Sequence, residues 1–258
     1  MSQQAQDVDP QGVDGGVVVY GVVPAGTSLD ESPGLGGAAV RAVTSGRIAA
    51  VVSSVEAPDF KAARRDLMRH SEVLGDALEH GPVLPLRFGT VFRDDAAVAS
   101  NLLSAHADEL EALLAQFENA VELRVKGFYD EEAMLRHVVT QNPAIARLRE
   151  SVHALPDAAS YAQRLRLGEL VARAVEAERS TAASAVLDAL RPLAQSVVAD
   201  SELALGVLLS CSFLVERSRV PQFDRAMDEL AGRYRSWIKF KYVGPLPPHS
   251  FVAMPESR

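Results

Sequence analysis

The chain has 258 residues, enough for one large domain or two small ones. Hydrophobic residues make up 48% and charged residues 23%, the balance of a folded soluble protein rather than a disordered or fibrous one. With 34 acidic and 26 basic residues the formal charge is −8, and no basic tract marks a nucleic-acid footprint.

In chain order, residues 1–15 are polar and Gly-rich, which predicts disorder. They carry no positive charge and no apolar stretch, so they do not read as a signal peptide. Residues 17–23 are a run of β-branched residues, a strand covered on both faces. Residues 24–37 read as a loop. Residues 39–45 and 48–55 read as two strands joined by a tight Ser45-Gly46-Arg47 turn. Residues 60–80 follow a helical period, with Phe60, Ala63, Leu67, Leu74 and Leu78 as the expected inward stripe. Lys61, Arg64, Arg65 and Arg69 form a basic stripe on its outer side, a solvated face or a docking site for an acidic partner. Gly81 and Pro82 end this helix, and residues 83–92 predict a strand.

Asp94 or Asp95 caps the next helix, expected to run to Phe117 with Val98, Leu102, Leu110, Leu113 and Phe117 inward. Residues 121–128 alternate as a strand. From residue 130 to 200 the pattern is helical, broken at Asn142-Pro143 and Leu155-Pro156, with Pro192 kinking or ending the last piece. Val197 falls on the stripe of that piece. The apolar run 203–215 has 13 residues, whereas a membrane span needs about 20, so no span is predicted. Residues 203–216 read as a buried strand and 221–234 as a helix with Phe223, Met227 and Leu230 inward. The closing segment, W-I-K-F-K-Y-V-G-P-L-P-P-H-S-F-V, starts at Trp237 as a strand with Ile238, Phe240 and Tyr242 on one face and Lys239 and Lys241 on the other. Gly244-Pro245 stops it. Pro247 and Pro248 keep the chain extended toward Phe251 and Val252, apolar surface expected to fold back on its own domain or to dock on a neighbour.

This order predicts an α+β protein with two units, 16–118 and 119–258. The second holds a helical insert over about 130–200 and a tail over 244–258. The segments G-P-V-L-P-L-R-F-G and G-P-L-P-P-H-S-F-V agree at four of nine positions, which is read as chance rather than duplication.

The stretch P-V-L-P-L-R-F-G-T-V-F, with Arg69-His70 ahead of it, resembles the signature of the GvpL/GvpF family of gas vesicle proteins. The closing Y-V-G-P-L-P-P-H-S-F-V resembles that family's C-terminal G-P-W-P-P-Y-x-F-V, and Val19-Tyr20-Gly21-Val22-Val23 also fits. The resemblance spans residues 17–252. Leu246 stands where the family usually has Trp and His249 where it usually has Tyr, which shrinks the aromatic surface of the tail. The resemblance implies two modified ferredoxin-like domains. It also implies a minor gas vesicle protein needed for vesicle assembly, cytoplasmic or at the gas vesicle. The implied partners are the small hydrophobic shell protein and other gas vesicle accessory proteins. Whether the chain enters the shell or only helps to build it stays open.

No catalytic, cofactor-binding or metal-binding residue is assigned. Gly34, Gly36 and Gly37 lie ten residues past their strand and before another strand, unlike a dinucleotide turn. Six histidines show no pair three or four apart on one helix. His70 and His106 read as helix-packing residues, and Arg87 as the partner of a helix carboxylate or as an anion ligand. Ser210, Cys211 and Ser212 lack an elbow motif and a nearby His. Cys211 has no cysteine to pair with and reads as a buried thiol. Asp94-Asp95 and Asp130-Glu131-Glu132 open helices, where the dipole favours negative charge. An enzyme would need His70, His106 and Arg87 in one pocket. That reading and a ligand-sensing module are the alternatives to an assembly protein.

Overall fold

The computed structural model describes residues 15–56, 63–154 and 157–252, with only the backbone of 157–159. The predictions for residues 1–14, Phe60, Lys61 and the Leu155-Pro156 break lie outside the described residues. The chain divides into two units. One comprises residues 1–118 with 247–258, the other residues 119–246. The tail was expected with the second unit. Residues 247–252 belong instead with the first, where Pro247 and Pro248 are buried and the backbone turns through Val252 N–H donating to Pro248 O at 3.1 Å.

In the first unit, β1 (Gly16–Pro24) is the central strand and is buried along both faces, as its β-branched run predicts. It pairs antiparallel with β3 (Ile48–Val55). β2 (Arg41–Ser45) closes a hairpin on β3, with Ser45 opposite Ile48 and Gly46 at φ +62° in the turn. On its other side β1 pairs with β4 (Leu84–Pro85) and β5 (Val91–Phe92). The single strand expected over 83–92 is two short ones, because Thr90 N–H and Oγ1 both turn back to Arg87 O and Gly89 takes φ +86° between them.

Helix α1 (Arg64–His80) buries His70, Val73, Leu74, Ala77 and Leu78. This corrects the expected stripe. Leu67 is 43% exposed and Met68 53%, because burial on this helix starts at His70 and leaves its first turn outside. The helix expected to run straight to Phe117 is instead a short α2 (Asp95–Ala97), a π-helical stretch Val98–Ser104 and α3 (Ala107–Gln116). A π-turn adds a residue to the repeat. Beyond it Leu110 and Phe117 are buried as expected, while Leu114, one turn after Leu110, is buried in place of Leu113, which is half-buried. Asp94 caps this run, accepting from Ala97 N–H at 2.7 Å.

In the second unit, β6 (Ala120–Tyr129) lies between β8 (Val207–Glu216) and β9 (Ile238–Leu246), both antiparallel to it. β7 (Ser196–Ala199) forms the far edge, so the order is β7-β8-β6-β9. Sequence periodicity misses β7. Val197 lies in it opposite Phe213, not on a helix. The apolar run expected as a strand from residue 203 starts only at Val207, and Leu205 is 95% exposed in the preceding loop.

The insert is helical, as its period predicts: α4 (Glu131–Gln141), α5 (Pro143–His153) and α6 (Asp157–Leu190). Asp130 and Asn142 cap α4 and α5 with their side chains. Pro192 sits in a short 3-10 turn that ends the long helix. Helix α7 (Val220–Tyr234) buries Phe223, Met227 and Leu230, the predicted three. The architecture is thus two antiparallel sheets with helices, an α+β fold.

Candidate functional site

Two places gather the residues that the sequence singles out. The first surrounds His70 in the first unit. His70 is 4% exposed and packs against Tyr20 and Phe88, with ring centroids at 5.2 and 5.5 Å. Its Nε2 lies 3.3 Å from Leu86 O, so the neutral ring carries its proton on Nε2 and donates there. Among the described residues Nδ1 is buried without a partner. Adding a proton to Nδ1 would bury an unsatisfied charge, and burial holds the pKa down to about 4. The nearby tail residue His249 lowers it further. The opening strand, the Pro-Leu-Arg-Phe segment and the closing tail therefore meet at one buried ring.

The His70 ring is packed between Tyr20 and Phe88. His106 is half-buried on another element, with Nδ1 3.9 Å from Glu109. Arg87 is exposed and, among the described residues, pairs with no helix carboxylate, so the ion pair expected for it is not formed. The three do not share one set of neighbours. Gly34, Gly36 and Gly37 do meet Arg65 and Arg69 across a cleft of about 330 Å³. Arg65 faces Asp66 at 3.4 Å and Arg69 faces Glu72 at 2.8 Å, so both cations already have partners. The Cys211 thiol is buried, which pushes its pKa up, away from nucleophile chemistry. Among the described residues no three His, Cys, Asp or Glu side chains converge as a metal would need, and no helix is long and apolar enough to cross a membrane.

The second place is the sheet of the second unit. Ile238, Phe240 and Tyr242 of β9 point toward α7, where Tyr242 stacks on Phe223 at 5.8 Å and donates to Asp224 at 2.6 Å. Strand register sends alternate residues to the opposite face. There Arg124 pairs with Val243 and Ser212, Lys126 with Lys241 and Ser210, and Phe128 with Lys239. Val198 of β7 lies beside Ser212. Phe128, Val198 and Val243 are 38%, 41% and 38% exposed. Glu122, fully buried at one end of the face, accepts from Arg124 Nη2 and Ser212 Oγ, both at 2.9 Å. Sequence alternation marked Lys239 and Lys241 for this side. Only the register added Arg124, Lys126, Val198 and Val243.

The family model described as gas vesicle synthesis protein GvpL/GvpF matches residues 16–253. Gas vesicle protein F of a Streptomyces strain is 40% identical over 214 residues, covering 83% of this chain and 87% of that protein. Gas vesicle protein L of the same strain is 30% identical, covering 92% and 90%. The crystal structure of gas vesicle protein GvpF from an Anabaena species shares the fold with a TM-score of 0.75 at 21% identity, covering 95% of this chain and 98% of that one. These relatives are named as gas vesicle proteins, not as enzymes. By this match and this coverage, the chain belongs to the GvpL/GvpF family of gas vesicle synthesis proteins, whose role lies in gas vesicle formation.

Proposed function

We propose that this chain works in gas vesicle assembly by binding the small hydrophobic shell protein and presenting it to the growing vesicle, with no bond made or broken. The observation that carries this reading is the open face of the second sheet. Phe128, Val198 and Val243 are exposed together on the side away from α7. Apolar side chains exposed among polar ones on one sheet face offer a partner separate points of contact. The edge strands β7 and β9 also leave backbone groups for a partner strand.

A subunit apolar enough to line a shell aggregates in water, and covering its apolar face would hold it back until it joins a rib. This action places the protein in the cytoplasm and at the vesicle. Other gas vesicle accessory proteins are further partners in this reading. Each unit reads as a modified ferredoxin-like fold, with the order β-α-β-β-α-β of residues 119–246 in support.

Capture of the shell protein by the purified chain tests the proposal. The variant Phe128→Ser with Val243→Ser, shown folded by its melting curve, should lose capture by about tenfold or more, since central apolar anchors dominate such contacts. Cells carrying it should make few or misshapen vesicles. Unchanged capture by the folded variant would remove the reading. Probing purified vesicles for the protein separates a shell component from a helper.

A further inference from the structure

The same open face is basic on an acidic chain. Arg124, Lys126, Lys239 and Lys241 all project from it, while the whole chain carries a formal charge of −8. Asp200, just past β7 and opposite Ser210, lies at the far edge of this side, two strands from Lys126; the strands themselves bring two carboxylates to it, and both are already held. Glu122 is buried against Arg124 and Ser212. Glu216, at the end of β8, faces Arg219 at 4.0 Å and accepts from Ser218 at 2.7 Å. Lys126, Lys239 and Lys241 make no ion pair among the described residues. Lys126 instead lies 5.5 Å over the Phe128 ring. Three unpaired ammonium groups thus stand among exposed Phe128 and Val243.

We infer that this face docks an acidic polypeptide segment, one in which carboxylates alternate with apolar residues. The inference rests on the docking reading above and adds the chemistry of the partner. On adjacent strands Lys126 lies directly opposite Lys241, and Lys239 opposite Phe128. A like-charged cross-strand pair such as Lys126 and Lys241 is unfavourable on a bare sheet. An acidic side chain laid between the two relieves that repulsion. The interleaved Phe128 and Val243 take the alternate, apolar side chains of the same segment. A long polyanion such as a nucleic acid fits less well. Its affinity comes from many phosphate contacts, and the net negative charge of the remaining chain repels it. A short acidic segment feels the local patch, since screening at physiological salt limits the reach of charge to about 8 Å.

The test uses the full chain and labelled synthetic peptides, followed by fluorescence anisotropy. One peptide alternates Glu with Val, a second replaces Glu by Gln, and a third replaces it by Lys. A single-stranded DNA oligonucleotide of matched charge is the fourth probe. The Glu peptide should bind about tenfold tighter than the Gln peptide, as two or three surface ion pairs provide. This preference should fade as salt rises. Lys126→Glu combined with Lys241→Glu should reverse it in favour of the Lys peptide. Equal binding of Glu and Gln peptides, an unchanged preference in the reversed variant, or tighter binding of the oligonucleotide would each overturn the inference.

Shell-protein capture then separates this inference from the reading beneath it. If the charge-reversed protein captures normally while Phe128→Ser with Val243→Ser does not, the charge inference falls and the docking reading stands. If neither variant changes capture, both fall.

Discussion

Acid should weaken this fold through His70 in a window that can be stated in advance. The ring is 4% exposed, and its Nε2 donates to Leu86 O while Nδ1 has no partner among the described residues. The folded pKa is held down to about 4, against 6.5 for the free side chain, first by burial. Between these values the unfolded chain binds a proton that the folded chain refuses. Stability therefore rises with pH across this window. The contribution is complete above about pH 6.5 and is lost as pH falls toward 4. The two values differ by about 2.5 pH units, each worth about 1.4 kcal/mol, so the loss approaches about 3 kcal/mol. The variant His70→Gln keeps a donor for Leu86 O and cannot titrate. Urea unfolding of both proteins from pH 7 to pH 4.5 cancels the carboxylates common to them. The wild type should lose about 2 kcal/mol relative to the variant over this range, the rest being lost at lower pH. A difference that stays flat, or a His70 resonance titrating near 6.5, would refute the reasoning.

Other perturbations have equally definite outcomes. Gly21→Ala would place a Cβ 2.7 Å from Leu84 O and 2.9 Å from Leu74 Cδ2, where β1 meets β4. It should cost about 2 kcal/mol by overpacking, seen as a lower denaturation midpoint, and an unchanged midpoint would show that the strands separate freely. Glu122→Ala removes the acceptor shared by Arg124 and Ser212. A loss of about 2 kcal/mol is expected in urea unfolding, and Glu122→Gln should recover part of it. Tyr242 donates to Asp224, and burial followed by that carboxylate raises its pKa well above the ordinary tyrosine value. Ultraviolet difference titration of the wild type against Tyr242→Phe should show no ionisation attributable to Tyr242 by pH 11, and a clear extra tyrosinate signal in the wild type below that pH would refute the assignment.

Local patterns in this chain carry a great deal. Asp94 and Asp130 each accept from a backbone N–H at the helix start their position predicts, and Asn142, read as a break, caps the helix after it, because a cap needs only neighbours within three residues. The alternation in β9 correctly divides Ile238, Phe240 and Tyr242 from Lys239 and Lys241. Phe223, Met227 and Leu230 of α7 are all buried as their spacing requires. The motifs around Arg69-His70, the Pro-Leu-Arg-Phe segment and the tail also point to the family that the whole-chain match shows.

Other features depend on partners far away in the chain. Leu67 lies on a helical stripe by spacing, yet it is 43% exposed, and burial on α1 begins only with His70. Val197 reads as helix until β8 pairs with it. Amphipathic spacing specifies that a face exists, whereas burial needs a second surface to meet it. The same holds for the open basic face. Arg124 and Lys241 are over a hundred residues apart, and antiparallel register alone sets them on one side of the sheet. Periodicity is encoded in covalent neighbours and can be read in the chain. Apposition is set by the pairing of distant strands, which only the folded structure decides.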